Sequence, residues 1–189
     1  MNKIILKWHS LEKYFELDFD TIKEKKPVSG LYIWGFIFDQ SFLPYYVGRH
    51  KHIFKRISQH VASILGGLYI VFREDKLKNF ENYKNKGIKK FNYKESEYYP
   101  STKLNICNFY KRREELDVHI SFMVENFWFT YAIEDDSDNR ENAEKLLIQE
   151  IGIENLINTR GGNCLNFELE NIPLDDGLIR QLTYLKWVR

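Results

Sequence analysis

The chain has little cysteine, little net charge and no long apolar run, and each shortage narrows what it can be. Only two of its 189 residues are cysteines, Cys107 and Cys164. Their spacing fits neither a metal knuckle nor a disulfide framework, so a reducing, cytoplasmic setting is the default expectation. No stretch approaches the roughly 18 uninterrupted apolar residues of a membrane-spanning helix, and no membrane partner is expected. The N-terminus, MNKIILKWHSLEKYF, meets charge at once and its apolar run is too short for a secretory signal. The formal net charge is only +1, but its distribution is uneven. Residues 1–72 carry 10 Lys/Arg against 6 Asp/Glu, residues 73–115 carry 12 against 7, and residues 116–189 carry 6 against 14. A basic front and an acidic back could steer a polyanion toward one face; ordinary solvation accounts for the same counts. What is present is a hydrophobic share of 43%, ample for a core in a chain whose length suits one domain.

The organising stretch is residues 30–60, GLYIWGFIFDQSFLPYYVGRHKHIFKRISQH. Residues 1–29 before it read as an N-terminal extension. In it Ile4-Ile5-Leu6 suits a short strand, and Ser10 could cap a helix starting at Leu11. Pro27 and Ser29-Gly30 end the extension. Leu31 to Phe38 are aromatic or β-branched at most positions, the pattern of a strand buried on both faces. Asp39-Gln40-Ser41 is turn chemistry, and Pro44 limits where the next strand can begin. Tyr45-Tyr46-Val47 reads as its antiparallel partner, with Gly48 giving a tight exit where a side chain would obstruct a ligand. From Ile53 the period changes to 3.6. Ile53, Ile57, Val61, Ile64 and Leu65 form one apolar stripe, with Arg56 and His60 together at its edge and Gly66-Gly67 as the stop.

Residues 73–115 form an inserted basic and aromatic segment. Lysines interleaved with Phe80, Tyr83, Phe91, Tyr93, Tyr98 and Tyr99 suit a surface that follows phosphates and stacks on bases. A satellite lobe with its own small core fits the same residues. Residues 118–124 and 127–133 both carry a β pattern, as one bent strand or two. Asp135 to Asn139 supplies a turn and cap for a helix over 140–151. Glu144 and Glu150 both fall within that helix's apolar arc of Ala143, Leu146, Leu147, Ile148 and Ile151. A carboxylate there is costly unless something compensates it, and a bound cation is one such partner. Glu150, in the last turn, can reach water more easily. Beyond 160 lies a tail, 161–189, with a final helix from Asp175 carrying Leu178, Leu182 and Leu185 on one face.

Taken together, Gly30-Leu31-Tyr32, Tyr46-Val47-Gly48, the Arg56/His60 helix, Ala143-Glu144-Lys145-Leu146-Leu147-Ile148 and Asn158 occur in the order found in GIY-YIG nucleases. Over about residues 29–160 the chain resembles that family, with Leu31 and Val47 replacing isoleucine. The gap between His60 and Glu144 exceeds what a minimal domain needs, so the 73–115 insertion would belong to this protein's own specificity. The resemblance implies an α/β (α+β) domain over 30–160, a small antiparallel β-sheet flanked by helices. It also implies a DNA endonuclease that uses Mg²⁺ or Mn²⁺ held by Glu144. Tyr32 would help activate water with Tyr46 and His60 assisting, and Asn158 would orient groups near the metal.

The chemistry agrees with these residue types. Phosphodiester hydrolysis needs an activated water, charge neutralisation and help for the leaving oxygen. Glu144 is a hard oxygen ligand suited to Mg²⁺. Arg56 can offer parallel donors to phosphate oxygens. Arg49, His50 and Lys55 could add phosphate contacts or be ordinary surface charges. A restriction or mobile-element enzyme on double-stranded DNA is favoured over a repair subunit, with a homodimer expected if the target is palindromic. A binding module that has kept this fold and lost its chemistry is the rival reading.

Overall fold

A computed structural model describes residues 2–13, 27–38, 41–66, 71–72, 97–98, 113–152, 156, 158, 161–162, 164, 166–177 and 185–187. Its strands are β1 (Asn2–Trp8), β2 (Glu12–Lys13), β3 (Gly30–Phe38), β4 (Ser41–His50), β5 (Val71–Phe72), β6 (Glu97–Tyr98), β7 (Phe127–Ile133) and β8 (Phe167–Pro173). Its helices are α1 (Ile53–Leu65), α2 (Arg113–Asn126) and α3 (Ser137–Ile151). The fold is mixed α+β.

One sheet organises the molecule, in the order β4-β3-β7-β1-β8, with β2 pairing β7 beside β1. The β3–β4 and β3–β7 ladders are antiparallel, as expected, whereas β1 and β8 run parallel, so the sheet is mixed. A β-bulge between Trp34 and Gly35 skips Tyr45 in the β3–β4 register. Pro44 is accommodated because β4 is an edge strand, where a missing N–H need not break a ladder. Leu31 to Phe36 are buried on both faces, which explains their unbroken apolar run.

Helices cover both sides of this sheet. On one side Tyr32, Trp34, Phe36 and Tyr45 pack with Ile53, Ile57 and Ile64 of α1 and with Leu116, Ile120 and Met123 of α2. On the other, Leu31, Ile33 and Val47 pack with Ala143, Leu147, Ile148 and Ile151 of α3. The α1 stripe matches its expectation except that Leu65 is exposed and His60 takes a buried place. Asp136 caps α3 by accepting from Asn139 N–H at 2.7 Å. Gly152, at φ 92°, ends that helix in a conformation that L side chains rarely adopt.

Three expectations need correction. Ile4–Leu6 form the expected strand, within β1 inside the sheet, with Ile4, Leu6 and Trp8 buried and the lysines outward, but Glu12–Lys13 is strand rather than the start of a helix. Residues 118–124 are helical, within α2. Leu116, Ile120 and Met123 recur at helical spacing while Val118 is exposed, so the 3.6 period outweighs the β-branched composition. The tail holds β8 and, at Leu185–Trp187, a non-helical segment that bridges Asn171. Asp176 and Gly177 are helical, but Leu178 and Leu182 lie outside the described residues, as does most of 73–115 apart from the β5–β6 pairing. Among the described residues no helix is long and apolar enough to cross a membrane.

Candidate active site

The sequence motifs meet around β4, which ends the strand order of the sheet among the described residues. Antiparallel pairing sets Tyr32 of β3 opposite Gly48 and Trp34 opposite Tyr46. A Cβ on Gly48 would lie 2.4 Å from Tyr32 Cζ and 2.7 Å from Tyr46 Cε1. Gly48 is therefore needed to admit the two tyrosine rings, rather than to clear a ligand's path. Those rings have centroids 6.2 Å apart. The backbone of α1 is tied to the segment before β3 through Ile53 N–H, which donates to Val28 O at 2.8 Å. This brings His60, one face of α1, against both tyrosines. Tyr32 OH and His60 Nε2 share a hydrogen bond of 3.0 Å whose proton follows the imidazole tautomer.

Burial divides the labour within this group. Tyr32 is 1% exposed and His60 likewise 1%, so both lie behind Tyr46, which is only partly buried. Burial, then Arg56 and His50, push the His60 imidazole down to about 3. It is therefore neutral at pH 7. Trp34, whose ring centroid lies 4.8 Å from that of His60, completes the apolar wall. The Tyr46 phenol is raised above its ordinary value by burial and then by Glu144; Arg56 and a hydrogen bond with Tyr32 oppose the rise. Arg56 is half-buried, and its Nη1 donates to Gln59 Oε1 at 3.2 Å.

Glu144 approaches from the opposite side of the sheet, on α3. It is half-buried, and burial raises its carboxyl above the usual range even though Arg49 acts to lower it. Arg49 Nε donates to Glu144 Oε2 at 2.8 Å, and Arg49 Nη2 donates to Glu141 Oε2 at 3.2 Å. Between the two halves sits Asn158. Its Oδ1 accepts from Val47 N–H at 3.0 Å and its Nδ2 donates to Val47 O at 2.8 Å. The side chain thus pairs with the open edge of β4 as a neighbouring strand would, fixing the backbone between Tyr46 and Gly48. Its amide is spent on the protein, so its role is positioning.

The remaining expectations divide. Lys55 is exposed on the first turn of α1, a turn without acidic residues, and Lys51 is exposed beside it. His50 is half-buried and its Nδ1 accepts from His52 N–H at 3.0 Å, so it shapes the entry to α1. Arg49, only partly exposed, is paired with the Glu141 and Glu144 carboxylates. Glu150 is held as well: it accepts from Lys186 N–H and from Asn171 Nδ2, anchoring the tail to α3.

No family model, no curated protein and no solved structure matches the chain.

Two residues escaped the sequence reading. Arg140 is buried at the start of α3, with Nη1 donating to Ser29 Oγ at 2.7 Å and to the Glu134 and Asp135 carbonyls. It ties the first turn of α3 to the start of β3, one helical turn before Glu144. Its signal was visible, since position 140 shares the arc of Ala143 and Leu147. Glu141 is the second, and its only sequence signal was an i,i+4 pairing with Lys145.

Proposed function

We propose that this chain is a divalent-cation-dependent DNA endonuclease of the GIY-YIG type. The observation that carries the reading is the gathering of Tyr32, Tyr46, Arg56 and His60 at one edge of the sheet with Glu144, from elements far apart in sequence. Neither a plain aromatic core nor a solvated helix face requires that arrangement.

The donor set fits a hydrated Mg²⁺ or Mn²⁺. Among the described residues no three His, Cys, Asp or Glu side chains gather into a ready-made cage. A cation here would take the Glu144 carboxylate and retain several waters, which is how Mg²⁺ binds. Burial raises the Glu144 carboxyl above its ordinary value despite Arg49, so a cation on it would favour the ionised form that burial disfavours. Such a cation supplies charge neutralisation at the phosphate and lowers the pKa of nearby water and phenol.

The protein's own groups then have distinct tasks. Tyr46 is the phenol nearest solvent and is the candidate to take the proton of the attacking water. Its raised pKa keeps it protonated at neutral pH in the unliganded protein, so base action requires added positive charge. His60, at about 3, is too weak a base to store a proton at pH 7. Its task is to orient Tyr32, which in turn bonds to Tyr46. Arg56 offers its guanidinium to the phosphate, and Lys51 and Lys55 extend the basic surface along the DNA backbone. Double-stranded DNA is the proposed substrate, in a restriction or mobile-element setting. A palindromic target would call for a homodimer, because one centre cuts one strand.

A second reading is favoured by one feature: Tyr32, Arg56, Glu144 and Asn158 each have a partner within the protein. A binding module that has lost catalysis would look the same. Plasmid nicking with Mg²⁺ by wild type and Glu144→Ala separates the two. Nicking lost in the variant supports the nuclease; salt-dependent DNA binding without cleavage, untouched by Glu144→Ala, supports the module.

A further inference from the structure

We propose that Arg49 is the resident counter-cation of Glu144, and that a divalent cation and Arg49 exchange places on that carboxylate. This inference rests on the nuclease reading above and assigns Arg49 a task other than a fixed contact to DNA. The geometry is specific. Arg49 follows Gly48 near the end of β4, and it spreads its fork over two carboxylates of α3 instead of closing on one. Nε holds Glu144, whose side chain is 22% exposed, while Nη2 holds Glu141, which is 48% exposed. Glu141 is shared with Lys145, whose Nζ lies 2.8 Å away.

The consequences follow from charge. A carboxylate withdrawn this far from water needs a positive partner in the unliganded protein, and Arg49 provides it. A second cation on the same carboxylate would repel the guanidinium at close range, so the two exclude each other. Because the Nη2 contact is separate, Arg49 can release Glu144 and stay anchored on Glu141. The displaced guanidinium would then lie beside the Tyr46–Gly48 stretch of β4, where its planar donors suit a phosphate oxygen. Arg49 thus orders the events: cation first, phosphate second.

The test uses Mn²⁺ as probe, with the full chain and no DNA. Calorimetry gives the Mn²⁺ affinity of wild type, Arg49→Gln, Arg49→Lys and Glu144→Gln. Removing the competitor is expected to tighten Mn²⁺ binding about tenfold in Arg49→Gln, equivalent to about 1.4 kcal/mol. Arg49→Lys, which keeps the charge, is expected to stay near wild type, and Glu144→Gln to lose the site. In parallel, the Arg49 Nε–H resonance is expected to move during a Mg²⁺ titration of the wild type. Equal or weaker Mn²⁺ binding by Arg49→Gln at a site still lost in Glu144→Gln would overturn the exchange and leave the nuclease reading standing. An Arg49 resonance unmoved by saturating Mg²⁺ would do the same. Absence of any Glu144-dependent Mn²⁺ binding would overturn both.

Discussion

Replacing His60 with glutamine tests whether the buried imidazole is neutral and destabilising in acid. The folded value of about 3, against 6.5 for an unburied histidine, means that the unfolded chain binds a proton that the folded chain refuses. The contribution is negligible above pH 6.5, and stability is lost as pH falls from there toward 3. Between pH 7.5 and pH 5 the linkage amounts to about 2 kcal/mol for this one group. Glu144 and Glu150 work in the opposite sense, because their raised values let the folded state take up protons first. Comparing wild type with His60→Gln cancels that background, and glutamine can still bond to Tyr32. Urea denaturation followed by tryptophan fluorescence at both pH values supplies the measurement. The wild type is expected to lose about 2 kcal/mol more than the variant on acidification. Parallel losses would refute the burial and charge argument for His60.

Other perturbations reach other parts of the site. Gly48→Ala forces a Cβ into the Tyr32 ring and is expected to cost about 1–3 kcal/mol, lowering Tm by roughly 2–4 °C for each; an unchanged Tm would contradict the packing. Asn158→Ala removes both bonds to Val47 and is expected to cost about 1–3 kcal/mol, with faster exchange of the Val47 amide as its local signature. Tyr46→Phe is expected to slow cleavage by about 10²–10⁴ while DNA affinity holds. Tyr32→Phe is expected to slow it less; the reverse order would place the reacting phenol in the wrong residue.

The parts legible in sequence were those with strong period or punctuation. The α1 stripe, the doubly buried β3 and a capping turn within 135–139 each leave a local signal, although α3 starts at Ser137 rather than at 140. Residues 118–124 misled because Val118, Ile120, Phe122 and Val124 alternate like a strand, while Leu116 and Met123 settle the helix only once the partner face is known. The parallel β1–β8 pairing joins residues more than 160 positions apart, and no local pattern encodes such a partner. Within the site, residue types were readable but their division of labour was not. Whether Tyr32 or Tyr46 faces solvent depends on α1 packing His60 over Tyr32. The Arg49 pairing likewise depends on α3 reaching the β4 edge.

Single-turnover cleavage of supercoiled plasmid by wild type and Glu144→Gln, in Mg²⁺ and at matched DNA occupancy, decides whether Glu144 serves a nuclease centre. Mg²⁺-dependent nicking is expected from the wild type, with a loss of at least about a hundredfold in the variant. Equal cleavage by both proteins, or none by either across varied DNA, would contradict it.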